Sequence, residues 1–278
     1  MENTSRLKNR VVKYVISFFL YLMDSLARIC FMAIGKEKRY PTTVIYYHDV
    51  HETDCSRFTN QLDIIKKFAR PLSIHELNGQ GKDSKPQVVV TFDDGFSCVK
   101  GIVLRETASR GIPFTVFIPT DYMGKTAEWM NKDGTSRGTP TVMSVPDIMS
   151  LAVHDSVTIG SHCMSHVDLT GLDDNSAYRE ISMSKKKLEE NIEGSINYLS
   201  FPHGAYLQQH LDFAKECGYK QAFGILPAKA KSAEENFLCG RVRVDPTDWD
   251  LEYFLKINGS YRWLSKAIEL KRWINKLL

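Results

Sequence analysis

Between residues 40 and 250, two patterns of apolar and polar positions take turns along the chain. Short runs rich in β-branched and aromatic residues predict seven strands, at residues 42–48, 87–92, 114–118, 156–160, 197–201, 220–225 and 241–244. Segments with apolar residues every three or four positions predict helices at residues 56–70, 97–110, 146–153, 174–193 and 206–217. Strands that alternate with helices at this spacing predict a mostly parallel sheet, and seven of them predict an α/β barrel.

A further helix is predicted over residues 11–34, where an apolar run follows a basic start as in a signal peptide. No clean small-x-small cleavage site follows that run. Asp24 and Arg28 then interrupt it on one helical face, and two charges in mid-bilayer would cost several kcal/mol. This favours an amphipathic helix lying on the cytoplasmic membrane face. The alternatives are a helix packed on the domain and an uncleaved signal anchor.

The remaining segments complete a three-part organisation of the chain. Residues 121–145 are rich in Gly, Thr and Ser and predict a long loop over one end of the barrel. Residues 260–278 have the spacing of an amphipathic helix, which we expect to pack on the domain, with membrane contact as the alternative. We therefore predict an N-terminal segment at 1–39, a barrel domain at 40–258 and a C-terminal helix at 259–278.

Composition and charge narrow the function classes. The 278 residues are 43% hydrophobic and fit a single α/β barrel of about 250 residues. A net charge of +3 is too small to suggest a nucleic-acid partner, although residues 1–39 hold eight Lys or Arg against three acidic residues. The six cysteines form no CxxC pair and are typical of free thiols in a reducing compartment. We therefore expect a cytoplasmic location or one on the cytoplasmic membrane.

Two adjacent carboxylates, Asp93 and Asp94, follow the strand-forming run Val88-Val89-Val90 and precede Gly95. Side chains alternate along a strand but can converge where it opens into a loop. Two close carboxylates are electrostatically costly unless a cation or a proton relieves them. The pair therefore suits a metal ligand beside a general base, and an ordinary Asp-Gly turn is the alternative.

Two histidines, His162 and His166, follow another predicted strand four residues apart. Imidazoles at this spacing are common ligands of zinc and other late transition metals, although many such pairs are plain surface or core histidines. The carboxyl ends of barrel strands share one rim, so the aspartates and the histidines can converge there.

A third cluster, Phe201-Pro202-His203-Gly204, follows the strand predicted at 197–201. A loop of this kind can present backbone N–H groups to an oxyanion. A plain strand-to-helix connection is the alternative.

In order and spacing, the three clusters resemble the polysaccharide deacetylase family, also called the NodB-homology or carbohydrate esterase 4 group. Its TFDDG signature stands at Thr91–Gly95, its H-S/T-x-x-H motif at His162–His166 with Cys163 in the second place, and its Pro-x-Gly motif at Pro202–Gly204. The resemblance covers residues 40–245. Further segments look like the poly-N-acetylglucosamine deacetylase branch: Tyr46-Tyr47-His48, Gly218-Tyr219 with Ala222-Phe223, and Leu238 with Arg241-Val242.

The resemblance implies a distorted (β/α)7 barrel, similar to a TIM barrel, that holds one divalent metal ion, zinc first and cobalt or nickel next. It implies Asp94, His162 and His166 as the metal ligands and Asp93 as the general base. The family's many exported members point away from the cytoplasmic location that the cysteines favour.

Two family features are missing from this chain. The late histidine that serves as general acid is absent, since the last histidine is His210; His48 is the best substitute and His203 the runner-up. The arginine that braces the base just before the Pro-x-Gly loop is also absent, and Arg241 and Arg243 are the candidates to replace it.

The sequence thus predicts a metal-dependent hydrolase that removes N-acetyl groups from a sugar in a cell-envelope polysaccharide or lipid-linked glycan. Two alternatives stay open. One is a deformylase or other amide hydrolase acting on a lipid-linked sugar, and the other is a catalytically inactive carbohydrate-binding relative, which the missing histidine would explain.

Overall fold

The computed structural model describes residues 2–36, 40–78, 85–133, 138–228 and 236–277. Lys38 and Arg39 of the predicted N-terminal segment and residues 134–137 of the predicted loop lie outside the described residues. The strands are β1 (Thr42–Tyr47), β2 (Arg70–Leu72), β3 (Gln87–Phe92), β4 (Phe114–Ile118), β5 (Val157–Ser161), β6 (Tyr198–Ser200), β7 (Gln221–Phe223), β8 (Leu238–Cys239) and β9 (Val242–Arg243). The helices are α1 (Glu2–Ala33), α2 (Cys55–Phe68), α3 (Ile102–Ala108), α4 (Val145–Ala152), α5 (Asp174–Glu189), α6 (Gln208–Glu216), α7 (Asp250–Ile257) and α8 (Trp263–Leu277).

The strands form one parallel sheet in the order β8-β7-β6-β5-β4-β3-β1-β9. The chain itself joins the two edges of the sheet. Strand β8 pairs with β7 at one edge, and β9, which begins two residues after β8 ends, pairs with β1 at the other. Gly240 stands at this crossing, where a Cβ atom would lie 2.3 Å from the carbonyl oxygen of Leu226. The segment 238–243 therefore closes the sheet into the predicted distorted barrel. Strands β1 and β3 to β7 form six positions of its wall, and β8 with β9 forms the seventh.

The alternation of side chains along the strands separates two apolar layers. Ile45, Val88 and Val90 face outward and pack with helix residues such as Phe58 of α2. A second cluster fills the inside of the barrel, formed by Val44, Leu72, Ile74, Val89, Phe117, Tyr198, Phe223 and Cys239. On β3, Val89 faces inward, so the period of two places Thr91 and Asp93 on the inner side as well. Asp93 therefore reaches the barrel interior at the carboxyl end of β3.

The differences from the predicted elements have local causes. The helix predicted at 97–110 is a short 3₁₀ turn at Ser97–Val99 followed by α3, with Gly101 between them. Strands β2 and β8 have three and two residues and are too short for a periodic pattern. Helix α7, which the sequence pattern did not predict, packs against α2 and β1.

Helix α1 lies against the domain through one face. Tyr14, Phe18 and Tyr21 pack on the outer apolar layer of the barrel. By length and composition alone, residues Leu7–Ala33 could cross a membrane, a property that signal sequences near an N-terminus share.

Candidate metal centre

The carboxyl ends of the parallel strands bring most of the predicted site residues to one rim. His48 follows β1, Asp93 and Asp94 follow β3, and His162 lies just beyond β5. The loop Phe201–Gly204 follows β6, and Arg241 lies between β8 and β9.

Asp94, His162 and His166 converge on one buried point. Oδ1 of Asp94 lies 3.0 Å from Nε2 of His166 and 3.5 Å from Nε2 of His162. The three potential ligand atoms lie within 4.8 Å of one another, and all three residues are buried. Among the described residues, Oδ1 of Asp94 has no hydrogen-bond partner although it is fully enclosed. Two imidazole nitrogens and a carboxylate oxygen turned toward one point form the donor set of a three-ligand metal site.

The backbone at this centre is held in an unusual conformation. Asp94, Cys163, His166 and His203 have φ angles of 65°, 59°, 55° and 56°, and they are the non-glycine residues with positive φ in the described part of the chain. Such residues cost on the order of 1–3 kcal/mol each and persist where the surrounding structure over-determines them. Their concentration at one rim indicates that the fold maintains this geometry for a purpose.

Gly95 completes the turn behind the two aspartates. Its φ is 59°, and a Cβ atom there would lie 2.5 Å from Cδ1 of Ile118. Only glycine combines this backbone with this close approach, so the turn that presents Asp93 and Asp94 depends on it.

Hydrogen bonds fix the histidine loop from two sides. Nδ1 of His162 lies 2.7 Å from the carbonyl oxygen of Ser200, a partner that favours the tautomer with its proton on Nδ1 and the lone pair on Nε2. Glu180 of α5 accepts the N–H groups of Met164 and Ser165 at 2.9 Å each. The Cys163 side chain is buried in the outer apolar layer, so its thiol does not join the ligand group.

His166 stands between two other rings. Trp129 stacks on it with centroids 4.3 Å apart, and His203 meets it edge-on at 4.7 Å. Trp129 belongs to the segment 121–145, which therefore covers this rim as the sequence predicted. Sequence reasoning missed Trp129 itself, whose only signal was a large aromatic residue within a polar loop.

Arg241 forms a bidentate ion pair with Asp93. Nη1 donates to Oδ1 at 2.7 Å and Nη2 donates to Oδ2 at 2.8 Å. The guanidinium also donates to the hydroxyls of Thr91 and Ser200 and to the carbonyl oxygen of Gly224. Arg241 is fully buried, and its Cζ atom lies 4.6 Å from the ring centroid of Tyr46. The side chain of Arg243, the other predicted brace, is exposed.

These contacts set the protonation of both aspartates. Burial alone would raise the pKa of Asp93, but the Arg241 guanidinium and the imidazoles of His162 and His48 together outweigh it and lower that pKa below its ordinary range. Burial also opposes ionisation of Asp94, whose pKa the adjacent imidazoles of His162 and His166 lower strongly. Both carboxylates are therefore anionic at neutral pH, one as a potential ligand and one as a potential base.

His48 and His203 occupy different positions at the rim. Burial lowers the pKa of His48, and the negative charges of Asp94 and Asp93 only partly oppose that effect. His48 is therefore mostly neutral at pH 7. His203 is exposed and lines a cavity of about 580 Å³ together with Tyr206 and Ile225.

Most of the backbone donors of the loop Phe201–Gly204 are already engaged. The N–H of Phe201 donates to the carbonyl of Phe223, and the N–H of Gly204 donates to the carbonyl of Phe201. Pro202 has no N–H. The N–H of His203 is therefore the loop's candidate for an oxyanion contact. The sequence had predicted such a contact for all four residues of the loop.

One sequence model of a protein family, described as "Polysaccharide deacetylase", matches residues 80–222 of this chain. The matched stretch is just over half of the chain and contains both aspartates, both converging histidines and His203.

Among curated proteins, the chain is 26% identical over 168 residues to "Putative polysaccharide deacetylase YxkH" of Bacillus subtilis (strain 168), a match that covers 59% of this chain and 55% of that protein. It is 24% identical over 149 residues to an uncharacterised 30.6 kDa protein of Geobacillus stearothermophilus, with 52% of this chain and 49% of that protein covered. The chain spans about half of the length of the curated relatives it matches.

Two solved structures share the fold. The Streptococcus pyogenes deacetylase PplD, solved in complex with acetate, superposes with a TM-score of 0.64 and 17% identity over 79% of this chain and 99% of that one. IcaB from Ammonifex degensii gives a TM-score of 0.63 and 20% identity over 81% of this chain and 98% of that one. At these identities the likeness establishes the curled, mostly parallel barrel.

Proposed function

The chain belongs to the polysaccharide deacetylase family, and on that basis we propose that it is a metal-dependent hydrolase of N-acetylated sugars in a cell-envelope glycan. The observation that carries the proposal is the group of Asp94, His162 and His166 beside an Asp93 that Arg241 holds ionised. The substrate is either a polysaccharide or a lipid-linked glycan. The proposed binding partner is thus a carbohydrate. The proposal also includes peripheral contact with a membrane through residues 1–39.

The residues present fit a divalent cation. Asp94, His162 and His166 would hold it through one oxygen and two nitrogens, and the enclosed Oδ1 of Asp94 lacks any other partner among the described residues. This donor set suits zinc first, and cobalt or nickel next. The cation would lower the pKa of a water molecule and polarise the amide carbonyl of the substrate.

Asp93 is suited to accept the proton of the attacking water. It is adjacent to the ligand Asp94, but its own carboxylate is paired with Arg241. It is therefore available as a base instead of as a fourth ligand. The bidentate pair fixes the orientation of its carboxylate and keeps it ionised at neutral pH. The N–H of His203 would donate to the oxygen of the carbonyl as negative charge develops there.

The cavity beside His203 is the candidate sugar-binding groove. At about 580 Å³ it lies within the usual size range of ligand pockets. Tyr206, which stacks on Phe201 with ring centroids 5.2 Å apart, contributes an aromatic surface of the kind that packs on sugar rings.

The proton donor to the leaving amine is either His48 or His203. Comparing an amide with an ester substrate shows which of the two variants has lost the donor. We expect the variant lacking the donor to lose about 10²- to 10⁴-fold in kcat on an N-acetyl amide. The same variant should hydrolyse an activated acetyl ester nearly as fast as wild type, because a good leaving group needs no proton. His48→Ala and His203→Ala are measured side by side on both substrates. Equal, small effects of both changes on the amide would exclude both residues.

The proposed activity is tested by acetate release from N-acetylglucosamine oligomers with zinc supplied. A matched panel of N-formyl sugars measures formate release from the same purified protein. We expect acetate release to exceed formate release. Formate release alone would identify a deformylase, and metal binding without either product would indicate an inactive relative.

A further inference from the structure

Helix α1 is amphipathic, but its apolar face points outward and its polar face points to the domain. This is the reverse of a helix on the surface of a soluble domain. Its outward side chains are apolar, and many of them are at least one-third exposed: Leu7, Val11, Val12, Val15, Ile16, Phe19, Leu20, Leu22, Met23, Leu26, Ile29, Phe31 and Met32. A helix packed on a soluble domain normally turns its polar face to water. Contiguous apolar surface of this extent marks an interaction site.

The polar side chains of α1 face the domain instead. Arg10 donates to Glu252 at 2.7 Å and to the carbonyl of Thr247 at 3.0 Å, and it stacks on Trp249. The stripe continues at three- and four-residue spacing through these contacts: Tyr14 with Trp249, Ser17 with Trp263, Tyr21 with Phe254, Asp24 with Arg262, and Arg28 with Asp24 and Tyr40. The two charges that opposed membrane insertion in the sequence are therefore engaged in contacts on the domain side.

Charged residues are absent from the outward face of α1 between Val11 and Met32, within the part that the structure describes. The three charged residues of that stretch are Asp24, Arg28 and Lys13, and Lys13 lines a cavity between α1 and the barrel rim. An exposed lysine lies at each end of the apolar face, Lys8 at one end and Lys36 at the other. An apolar face with basic ends is complementary to a bilayer of anionic lipid.

The contacts also fix how α1 runs along the barrel. Arg10 binds residues that follow β9, at the rim where the site lies, whereas Arg28 lies over Tyr40, which precedes β1 at the opposite rim. The 18 residue steps from Arg10 to Arg28 correspond to about 27 Å of helix. A helix held against the barrel over that length cannot cross a bilayer without breaking these contacts.

We propose that α1 lies flat in the interface of an anionic membrane, with its Val11–Met32 face in the lipid and its Arg10–Arg28 stripe on the domain. The barrel axis then runs along the membrane surface, and the catalytic rim opens sideways, next to the membrane. If the proposed deacetylase function holds, this arrangement favours glycans attached to the membrane over glycans free in solution.

Flotation with lipid vesicles tests the docking without any assay of activity. We expect wild type to float with vesicles of phosphatidylglycerol and phosphatidylcholine, and less with phosphatidylcholine alone. The double variant Phe19→Glu, Met23→Glu should lower the bound fraction at least tenfold. The matched control is Val153→Glu, which places the same charge at an exposed apolar position beside α4 and should float like wild type.

A Phe19→Trp variant measures the depth of the helix and remains informative if the glutamate variants fail to fold. Lipids brominated near the headgroup should quench the added fluorescence more than lipids brominated near the chain ends. Stronger quenching from the chain ends would mean a spanning helix and overturn the proposal. A dimer in solution that the glutamate changes dissociate, with no flotation of wild type, would assign the face to a second copy of the chain and overturn it equally.

Discussion

Replacing Asp93 by asparagine is expected to lower kcat by about 10²- to 10⁴-fold and to leave the metal content unchanged. The amide cannot accept the proton of the attacking water, whereas the three ligand atoms belong to Asp94, His162 and His166. The amide oxygen can still accept one hydrogen bond from Arg241, which limits the disturbance to the fold. Steady-state acetate release and metal analysis of the same preparation provide the two readouts.

The adjacent residue supplies a matched control. Asp94→Asn makes the same chemical change one position along the chain, but it weakens a ligand instead of the base. It should lose bound metal and activity together. If Asp93→Asn turned over like wild type, or if it lost metal as Asp94→Asn does, the division of roles between the two aspartates would be wrong.

Replacing Arg241 by methionine should destabilise the fold and shift the pH dependence of activity. Truncating one partner of a buried ion pair costs about 3–5 kcal/mol, because the other charge is left buried without compensation. Without the guanidinium, burial raises the pKa of Asp93. The acidic limb of the pH–rate profile should therefore move to higher pH, since the base stays protonated over a wider range.

The effect on stability has a defined sign. In wild type, the lowered pKa of Asp93 contributes stability above the pKa of the unfolded chain, and that contribution is lost as the pH falls through the folded pKa. In Arg241→Met the carboxyl resists ionisation, so the penalty is largest at neutral pH and shrinks below about pH 4. The gap in unfolding free energy between wild type and variant should narrow as the pH falls.

Arg243→Met is the control for this prediction. It makes the same substitution two residues away at an exposed position of β9, where we expect little change in stability. Equal destabilisation by both changes, or an acidic limb that does not move in Arg241→Met, would contradict the role assigned to Arg241.

Much of the candidate site follows from the sequence because strand ends in a parallel barrel share a rim. That rule brought Asp93 and Asp94 near His162 and His166 from two short segments of sequence. The bond between Asp93 and Arg241 joins residues 148 positions apart. The sequence offered Arg241 and Arg243 equally, and burial separates them, because Arg241 is fully buried beside Asp93 whereas Arg243 is exposed.

Other features had no periodic signal to reveal them. Ser200 holds His162 through its carbonyl and Arg241 through its hydroxyl, yet a serine at a strand end is unremarkable in a sequence. Glu180 lies in the middle of α5. In the sequence it is indistinguishable from a glutamate on the solvent-facing side of a helix, so its contact with the histidine loop could not be predicted. Helix α1 shows the same limit, since the sequence revealed its charges but not that they face the domain.

The most direct test of a metal-dependent deacetylase is acetate release measured against bound metal in one titration. Protein stripped by a chelator is reloaded with zinc in steps, and acetate from an N-acetylglucosamine oligomer is measured at each step. We predict no release from the stripped protein and a rise that saturates at one ion per chain. Release that continues after stripping, or none at one bound ion with either acetylated or formylated sugars, would contradict the account.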